Sequence, residues 1–189
     1  MSETAPGPLT YLLVDGENID ATLGMSILGR RPQPQERPRW DRLLRFAEDV
    51  WDQPVRGLFF LAVDTDLPMP FVQALTSIGF RPIPLSGTPD QKVVDLAIQR
   101  TLEEIARREN DVMLASNDGD FVPQVEALVS GRRRVAVLGF EEFRNSRFSA
   151  LVPRGLECFD LEHDVDAFTV QLPRIKVIPI DEFDPRDVL

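Results

Sequence analysis

The sequence predicts an α/β fold built on a central, mainly parallel β-sheet. Short apolar runs typical of buried strands alternate along the chain with segments whose apolar residues recur at helical spacing. Two of these runs end in an acidic turn, at Asp15 and at Asp118, and each continues at once into a helical segment. Alternating strands and helices are typical of parallel sheets with right-handed crossovers, which bring strand ends from distant sequence positions to one edge.

The same patterns predict the remaining elements in order. Strands are predicted at residues 10–14, 55–63, 80–85, 111–116, 135–140 and 156–161. Helices are predicted after Asp15, from residue 39, at 69–78, 91–108 and 121–129, and in a short stretch to residue 152. The apolar 55–63 run indicates a central strand buried on both faces, whereas two prolines place the 80–85 strand toward an edge. Gly79 is predicted to close the helix before that edge strand.

Length and composition favour one domain with extensions. A chain of 189 residues, 43% of them hydrophobic, is long enough for one full core and hardly long enough for two. No apolar run reaches the roughly 18 residues of a membrane span, and residues 1–8 lack the apolar core of a secretory signal. Cys158 and His163 are the only cysteine and histidine, which excludes an internal disulfide, a cysteine zinc site and a histidine-based triad. We therefore expect a cytoplasmic protein that is not inserted in a membrane.

The formal net charge of −10 argues against a generic nucleic-acid-binding surface, although it does not exclude a local one. Residues 151–189 hold nine acidic and four basic residues, so this part carries half of the negative surplus. The densest positive segment is residues 30–45, a proline-containing loop and the start of a helix with six arginines. This segment fits either a phosphate-binding surface or an ordinary solvated face.

Asp118 and Asp120 lie one residue apart, directly after the 111–116 strand. In an open α/β sheet, ligand-binding crevices form at the carboxyl ends of the strands. Two carboxylates in such a crevice repel each other unless a cation lies between them, and oxygen ligands of this kind suit Mg²⁺ or Mn²⁺. The alternative interpretation is that these acids cap the following helix.

Asp15 and Asp95 are the other acids predicted to reach this crevice. Asp15 ends the first strand, and Asn18 follows by about one helical turn, either facing the crevice or stabilising the helix start. Asp95 lies on the inner flank of its helix, where an ionised carboxylate costs several kcal/mol unless it is paired. A shared cation would remove that cost, and an ion pair with Lys92 is the alternative. Four acids around one or two cations could activate water and stabilise charge on a phosphodiester oxygen.

Other charged groups offer further hypotheses. Basic side chains that could bind substrate phosphate near the acidic edge are Arg30, Arg31, Lys92, Arg144 and Arg147. The triple arginine 132–134 enters a strand at its amino end, opposite the acids, and indicates a solvated turn. Asp64 and Asp66 follow the 55–63 strand and suggest either a turn or, more weakly, a phosphatase nucleophile.

Three motifs resemble those of the NYN domain, a branch of the PIN-like nucleases, in order and context. They are Val14-Asp15-Gly16-Glu17-Asn18, Lys92-Val93-Val94-Asp95-Leu96-Ala97 and Ser116-Asn117-Asp118-Gly119-Asp120-Phe121-Val122-Pro123. The likeness covers about residues 9–161, and the last motif is the most distinctive. Val93 stands where a glycine is common in such helices, a departure that leaves the acids intact.

This resemblance implies a three-layer α/β/α fold of the PIN-like type and metal-dependent ribonuclease activity on RNA. Carried over position by position, it makes Asp15, Asp95, Asp118 and Asp120 the catalytic, metal-binding acids. Asn18, Ser116 and Asn117 become supporting polar groups. The alternative function is a non-catalytic module of the same fold that binds RNA or protein, as the negative charge and acidic C-terminal part also allow.

The predicted domain organisation has three parts. Residues 1–8 form a disordered N-terminus, residues 9–161 form the nuclease-like domain, and residues 162–189 form an acidic, proline-containing extension. Within that extension, residues 170–180 fit an edge strand, an arm gripping a second copy, or a mobile segment. We therefore expect that a homodimer or a protein partner could form through the extension.

Overall fold

The computed structural model describes residues 8–64, 66–88, 90–174 and 178–189. The predicted disordered N-terminus falls outside the described residues except for Pro8. None of the helices in the described ranges is long and apolar enough to cross a membrane.

Within the described ranges, six parallel strands form one sheet. They are β1 (Thr10–Asp15), β2 (Val55–Ala62), β3 (Arg81–Leu85), β4 (Asp111–Ala115), β5 (Val135–Gly139) and β6 (Leu156–Asp160). Their spatial order is β3-β2-β1-β4-β5-β6, and every neighbouring pair is parallel. The chain moves outward from β1 to β3, crosses back to β4, and then moves outward in the other direction. The order therefore reverses between β1 and β4, where a crevice opens in folds of this kind.

In the described part of the chain, six α-helices connect the strands. They are α1 (Gly16–Ala21), α2 (Trp40–Trp51), α3 (Met69–Ile78), α4 (Val93–Ala106), α5 (Val122–Val129) and the single turn α6 (Ser146–Ser149). The helix predicted after Asp15 widens after α1 into a π-helix, Thr22–Leu28. A 3₁₀ turn, Gly119–Phe121, precedes α5. Gly79 adopts a φ of 105° and ends α3, as predicted.

Two hydrophobic clusters cover the two faces of the sheet. Buried residues of the π-helix, α2 and α3 pack on one face, including Leu23, Leu43 and Leu75. Buried residues of α4 and α5 pack on the other, including Ile98 and Val125. The three-layer α/β/α fold predicted from the motifs is thereby confirmed.

Strand β2 shows how local sequence sets the layers. Phe59 and Phe60 are both buried and lie in opposite clusters, because successive side chains of a strand point to opposite faces. The strand is internal but lies only one position from the edge. The outer neighbour is β3, whose Pro82 and Pro84 fit an edge strand that needs backbone donors on one side only. The predicted edge position of β3 is confirmed.

The chain after β6 completes the core on the first face. Leu161, Val165, Ala167, Phe168 and Leu172 are buried in the same cluster as α2, the π-helix and β5. The ring of Phe168 stacks on Phe140 of the β5 end at 5.8 Å, and the carbonyl oxygen of Ala167 accepts from Arg39 N at 2.7 Å. The first part of the predicted C-terminal extension therefore packs into the hydrophobic core of the domain.

The last described residues are different in character. Residues 170–174 and 178–180 contain no strand, and residues 175–177 lie outside the described ranges. Two 3₁₀ turns, Ile180–Glu182 and Pro185–Asp187, follow, with Ile180 and Phe183 exposed to solvent.

We expect Phe168→Ala to lower the free energy of unfolding by about 3 kcal/mol, because it removes a buried ring from a packed core. Phe183→Ala is the matched control, since this ring is 45% exposed and exposed substitutions change stability by less than about 0.5 kcal/mol. Urea denaturation followed by circular dichroism measures both variants. Equal stabilities would contradict the role of residues 161–172 in the core.

Candidate metal centre

The carboxyl ends of β1 and β4 lie side by side where the strand order reverses. Val14 pairs with Ala115 in register, so Asp15 and Ser116 come next to each other across the two strands. From this point the chain diverges into α1 on one face and toward α5 on the other. Residues that follow β1 and β4 therefore surround the mouth of the crevice.

Asp15 is almost completely buried, with 2% of its surface exposed. Its Oδ1 accepts from the backbone N–H of Asn18 at 3.2 Å, and its Oδ2 accepts from the Ser116 hydroxyl at 3.0 Å. Burial, with smaller contributions from the charges of Asp95 and Asp118, raises the pKa of the Asp15 carboxyl to about 6, even though both hydrogen bonds lower it. The fold thus holds Asp15 in place where its ionisation is costly.

Three other acids converge in front of Asp15. Asp95, Asp118 and Asp120 each offer a carboxylate oxygen within 4.8 Å of the other two. Asp118 follows β4, Asp120 lies in the 3₁₀ turn, and Asp95 belongs to the first turn of α4. The structure therefore brings all four predicted acids to one edge, with Asp15 behind the other three. We call Asp95, Asp118 and Asp120 the acidic trio.

The acidic trio has the properties of a divalent-cation site. All its donors are carboxylate oxygens, which hard cations prefer. The Asp95 side chain is 20% exposed and that of Asp120 is 56% exposed, so the trio is open to solvent on one side. Burial is the main cause that raises the pKa of Asp95, and the charge of Asp118 also raises it. A cation among these oxygens would offset both effects.

Helix capping and cation binding are compatible at Asp118. Its Oδ1 accepts from the backbone N–H of Asp120 at 2.9 Å and caps the 3₁₀ turn before α5. Capping engages one carboxylate oxygen, and the other remains available as a ligand. The two interpretations of this turn therefore describe two functions of one side chain.

Lys92 lies between two members of the acidic trio. Its Nζ is 3.5 Å from Oδ2 of Asp95 and 3.4 Å from Oδ2 of Asp120. A hydrogen bond to Asp120 and the charges of both acids raise the pKa of the Lys92 ammonium. The ion pair considered as an alternative for Asp95 is thus present, and Lys92 compensates part of the negative charge of the trio.

The supporting polar groups hold the backbone of the crevice. The Ser116 hydroxyl accepts from Asp118 N at 3.1 Å while donating to Asp15. The backbone N–H of Asn117 donates to Oδ1 of Asn18 at 2.9 Å, so the Asn18 side chain binds the neighbouring strand end. Buried Asn117 in turn accepts from Phe140 N at 2.9 Å. These bonds tie the ends of β1, β4 and β5 together.

Two positioning residues were not found from the sequence. Thr22 accepts through its hydroxyl from Nδ2 of Asn117 at 3.4 Å. Gly139, the last residue of β5, leaves room for the Asn117 side chain. A Cβ at this position would lie only 2.3 Å from Oδ1 of Asn117. In the sequence, only the glycine that ends the apolar 135–139 run points to such a contact, because a glycine in a strand often marks the close approach of another group.

The predicted phosphate-binding arginines differ in their surroundings. Arg30 forms a bidentate ion pair with Glu36, at 2.8 and 2.6 Å. Half-buried Arg144 donates to the carbonyl oxygen of Phe159 at 2.9 Å. Arg31 and Arg147 are exposed, and Arg147 follows Asn145, whose backbone N–H donates to the Asn117 carbonyl beside the acidic turn.

The triple arginine lies at the amino end of β5, at the edge opposite the acids. Arg133 donates to the carbonyl oxygen of Ala106 at 3.0 Å and also to that of Ile105, and so caps the carboxyl end of α4. The guanidinium of Arg134 lies 4.6 Å from the ring centre of Trp51. The predicted solvated turn fits exposed Arg132 and Arg134, whereas half-buried Arg133 departs from it because backbone carbonyl groups engage its guanidinium.

Fold and site together define a PIN-like α/β domain with an acidic centre at the reversal of strand order. The NYN domain family matches residues 9–154, which is most of the chain, so the chain belongs to the NYN domain family. This is a nuclease-like family. No curated protein matches the sequence significantly. A crystal structure of a protein of unknown function from Vibrio parahaemolyticus superimposes with a TM-score of 0.67 at 18% identity, covering 86% of this chain and 98% of the other, which supports the fold.

We expect Asp15→Asn to raise the free energy of unfolding by roughly 3 kcal/mol at neutral pH in chelator, because it removes a buried charge. The amide can still accept from Asn18 and donate to Ser116. Protonated Asp15 stabilises the fold fully below its ordinary pKa of 3.8, and that stabilisation is lost as pH rises through about 6. The advantage of the variant should therefore shrink as pH falls from 7 to 4, as measured by urea denaturation.

Asp160→Asn is the matched control. Asp160 is also buried at a strand end, with 6% exposed, but it accepts from the backbone N–H groups of Glu141, Glu162 and His163. An amide has a single acceptor oxygen, so this variant should be destabilised. The same sign of change in both variants would contradict the assigned role of Asp15.

Proposed function

We propose that this chain is a divalent-cation-dependent ribonuclease that hydrolyses RNA phosphodiester bonds at the acidic trio. The observation that carries the proposal is the convergence of Asp95, Asp118 and Asp120 in front of buried Asp15, in a chain of the NYN family. Mg²⁺ or Mn²⁺ is the cation that this all-oxygen donor set favours.

Each residue at the centre has a distinct part in the proposed reaction. Asp95, Asp118 and Asp120 would hold the cation, and Asp15 would raise the negative potential behind them. When bound, such a cation supplies positive charge to the phosphodiester and lowers the pKa of water. Asp120 is the most exposed carboxylate of the trio and would orient an attacking water. The proposal assigns no part to His163, the only histidine, which follows β6, two strands away from β4 in the sheet.

Lys92 is suited to contact the substrate. Its side chain is 72% exposed, so its ammonium, now beside Asp95 and Asp120, would also be able to reach a phosphate oxygen of the substrate. Exposed Arg147 is a second candidate for phosphate contact. Arg30 and Arg144 would first have to leave their present partners, which makes them weaker candidates.

The strand order also occurs in dinucleotide-binding folds, but the first turn opposes that function. Such folds bind a pyrophosphate with a glycine-rich turn after β1. Here the turn is Asp15-Gly16-Glu17-Asn18, and its buried carboxylate would repel a phosphate in the absence of a cation. The acidic turn favours metal-assisted hydrolysis.

A non-catalytic binding module is the second candidate function. Lys92 already compensates part of the charge of the trio, as it would in a site that has no cation. Cation binding and RNA cleavage separate the two candidates directly. A cytoplasmic location and a dimer or protein partner formed through the C-terminal extension remain predictions.

We expect wild-type protein to cleave single-stranded RNA with Mg²⁺ or Mn²⁺ and to lose this activity in EDTA. Asp118→Asn should lower kcat/KM at least 100-fold, the order of magnitude expected when a key electrostatic group is removed. Asp64→Asn is the matched control, because Asp64 is an exposed acid after β2 rather than β4. Gel-based cleavage assays measure all three proteins, and equal activity of wild type and Asp118→Asn would overturn the proposed function.

A phosphatase acting through Asp64 would instead show ester hydrolysis that Asp64→Asn abolishes.

We expect Lys92→Met to tighten Mn²⁺ binding about tenfold, because the ammonium competes with a cation for Oδ2 of Asp95 and Asp120. Lys92→Arg retains the charge and should bind Mn²⁺ as the wild type does. Isothermal titration calorimetry in the absence of RNA measures the three dissociation constants. Weaker binding by Lys92→Met would show that Lys92 assembles the trio rather than competing with the cation.

A further inference from the structure

A pocket of about 310 Å³ opens beside the acidic centre, on the side of β2. Its walls include Gly16, the residue directly after Asp15, so pocket and centre share one turn of the chain. Aromatic side chains form its interior and charged side chains form its rim. We call it the aromatic pocket; its principal aromatic and charged residues are Trp40, Phe59, Phe71, Glu17, Asp20 and Arg37.

The interior of the aromatic pocket is built around Phe59. This ring is only 1% exposed and forms part of the core. Trp40 and Phe71 meet it edge to face, with ring centres at 5.0 and 5.5 Å and interplanar angles of 80° and 84°. Both are half-buried, so part of each ring faces the pocket. A Cβ at Gly16 would lie 2.6 Å from the Phe59 ring, so glycine is needed for the turn to pass over this floor.

The rim carries one accessible ion pair. Nε of Arg37 lies 3.8 Å from Oδ1 of Asp20, near the limit for an ion pair, and the side chains are 42% and 45% exposed. The guanidinium and the carboxylate can therefore bind a ligand at little cost. Glu17 is more committed, since its Oε1 accepts from Ala62 N at 3.1 Å.

An apolar aromatic interior under a polar rim matches the chemistry of a nucleobase. Unpaired RNA bases stack on aromatic side chains, and polar groups at the edge of the ring read their identity. A phosphate at the acidic trio would place the adjoining nucleotide near the turn that the pocket shares. The pocket is also too small for a folded partner.

We propose that the aromatic pocket binds a guanine base of the RNA, next to the phosphodiester at the acidic trio. The proposal rests on the ribonuclease function proposed above. The Watson–Crick edge of guanine presents two donors, N1–H and N2–H₂, beside the O6 acceptor. Asp20 supplies acceptor oxygens for the donors, and Arg37 supplies donors for O6.

The other bases do not match this pair of charged groups. Adenine and cytosine each present one donor beside a ring-nitrogen acceptor, which a carboxylate repels. Uracil presents one donor between two acceptors, so only one carboxylate oxygen finds a partner. Discrimination by a bidentate contact of this kind corresponds to about tenfold or more in affinity.

Binding of mononucleotides tests the proposal without any cleavage. In a Trp51→Phe background Trp40 is the only tryptophan, and stacking of a base on its ring should change its fluorescence. We expect GMP to bind at least about tenfold more tightly than AMP, CMP or UMP, both with Mg²⁺ and in EDTA, because the selectivity comes from the base and the phosphate is common to all four. Phe71→Leu should weaken GMP about tenfold, because it keeps apolar volume but removes a stacking ring.

Two matched pairs of variants locate the specificity. Asp20→Asn and Arg37→Gln should each reduce GMP binding to the level of AMP. Arg39→Gln and Asp41→Asn alter a similar exposed ion pair, at 3.4 Å, that does not line the pocket, and they should leave GMP binding unchanged. Equal binding of all four nucleotides, or no response of Trp40 to any of them, would overturn the proposal.

The experiment keeps the two proposals apart. If wild type cleaves RNA but does not bind GMP, the guanine assignment fails and the ribonuclease function stands. If GMP binds selectively and no RNA is cleaved, the nuclease proposal fails while a guanine-binding pocket remains. Mapping of cut sites adds a third measurement, since Asp20→Asn should abolish a preference for bonds next to guanine without abolishing cleavage.

Discussion

The crowding of four carboxylates at one sheet edge, with burial raising the pKa of Asp15 and Asp95, is the constraint on which the centre of this molecule depends. Parallel pairing of β1 with β4 places Asp15 behind Asp118, and α4 adds Asp95 from the helical layer. Burial makes ionisation of Asp15 unfavourable. A cation bound nearby would favour the ionised carboxylate and so reduce that cost. The exposed Lys92 ammonium neutralises only part of the negative charge of the centre, because it contacts only Asp95 and Asp120.

The polar residues around this centre divide into two sets. Ser116, Asn117 and Asn18 direct their hydrogen bonds into the fold and join the ends of β1, β4 and β5. The acidic trio brings its carboxylates together at the mouth of the crevice, where Asp120 is the most exposed. The hydrogen bonds of the first set fix the backbone at the strand ends. The carboxylates are therefore held close together despite their like charges. Arg133 and Arg144 also stabilise the fold, because their guanidinium groups donate hydrogen bonds to the backbone carbonyl groups of Ala106 and Phe159.

The turn after β1 connects two environments that lie side by side. Asp15 faces β4 and the acids, whereas Gly16 passes over the ring of Phe59. Negative charge on one side of the turn and aromatic surface on the other suit the two parts of a nucleotide, its cation-neutralised phosphate and its base. The acidic surplus of the chain is therefore compatible with the proposed RNA substrate, because the proposed recognition would rely on a cation and on stacking as well as on basic side chains.

The sequence by itself determined the order of strands and helices, the edge position of β3 and the gathering of acids at one edge. Hydrophobic periodicity, prolines and turn residues act locally, and parallel topology then fixes which strand ends meet. Only the tertiary structure decided that Lys92 lies between two acids, that Arg144 is engaged by a backbone carbonyl and that residues 161–172 complete the core. These outcomes depend on side-chain direction and on contacts between residues far apart in the chain, which local patterns do not encode.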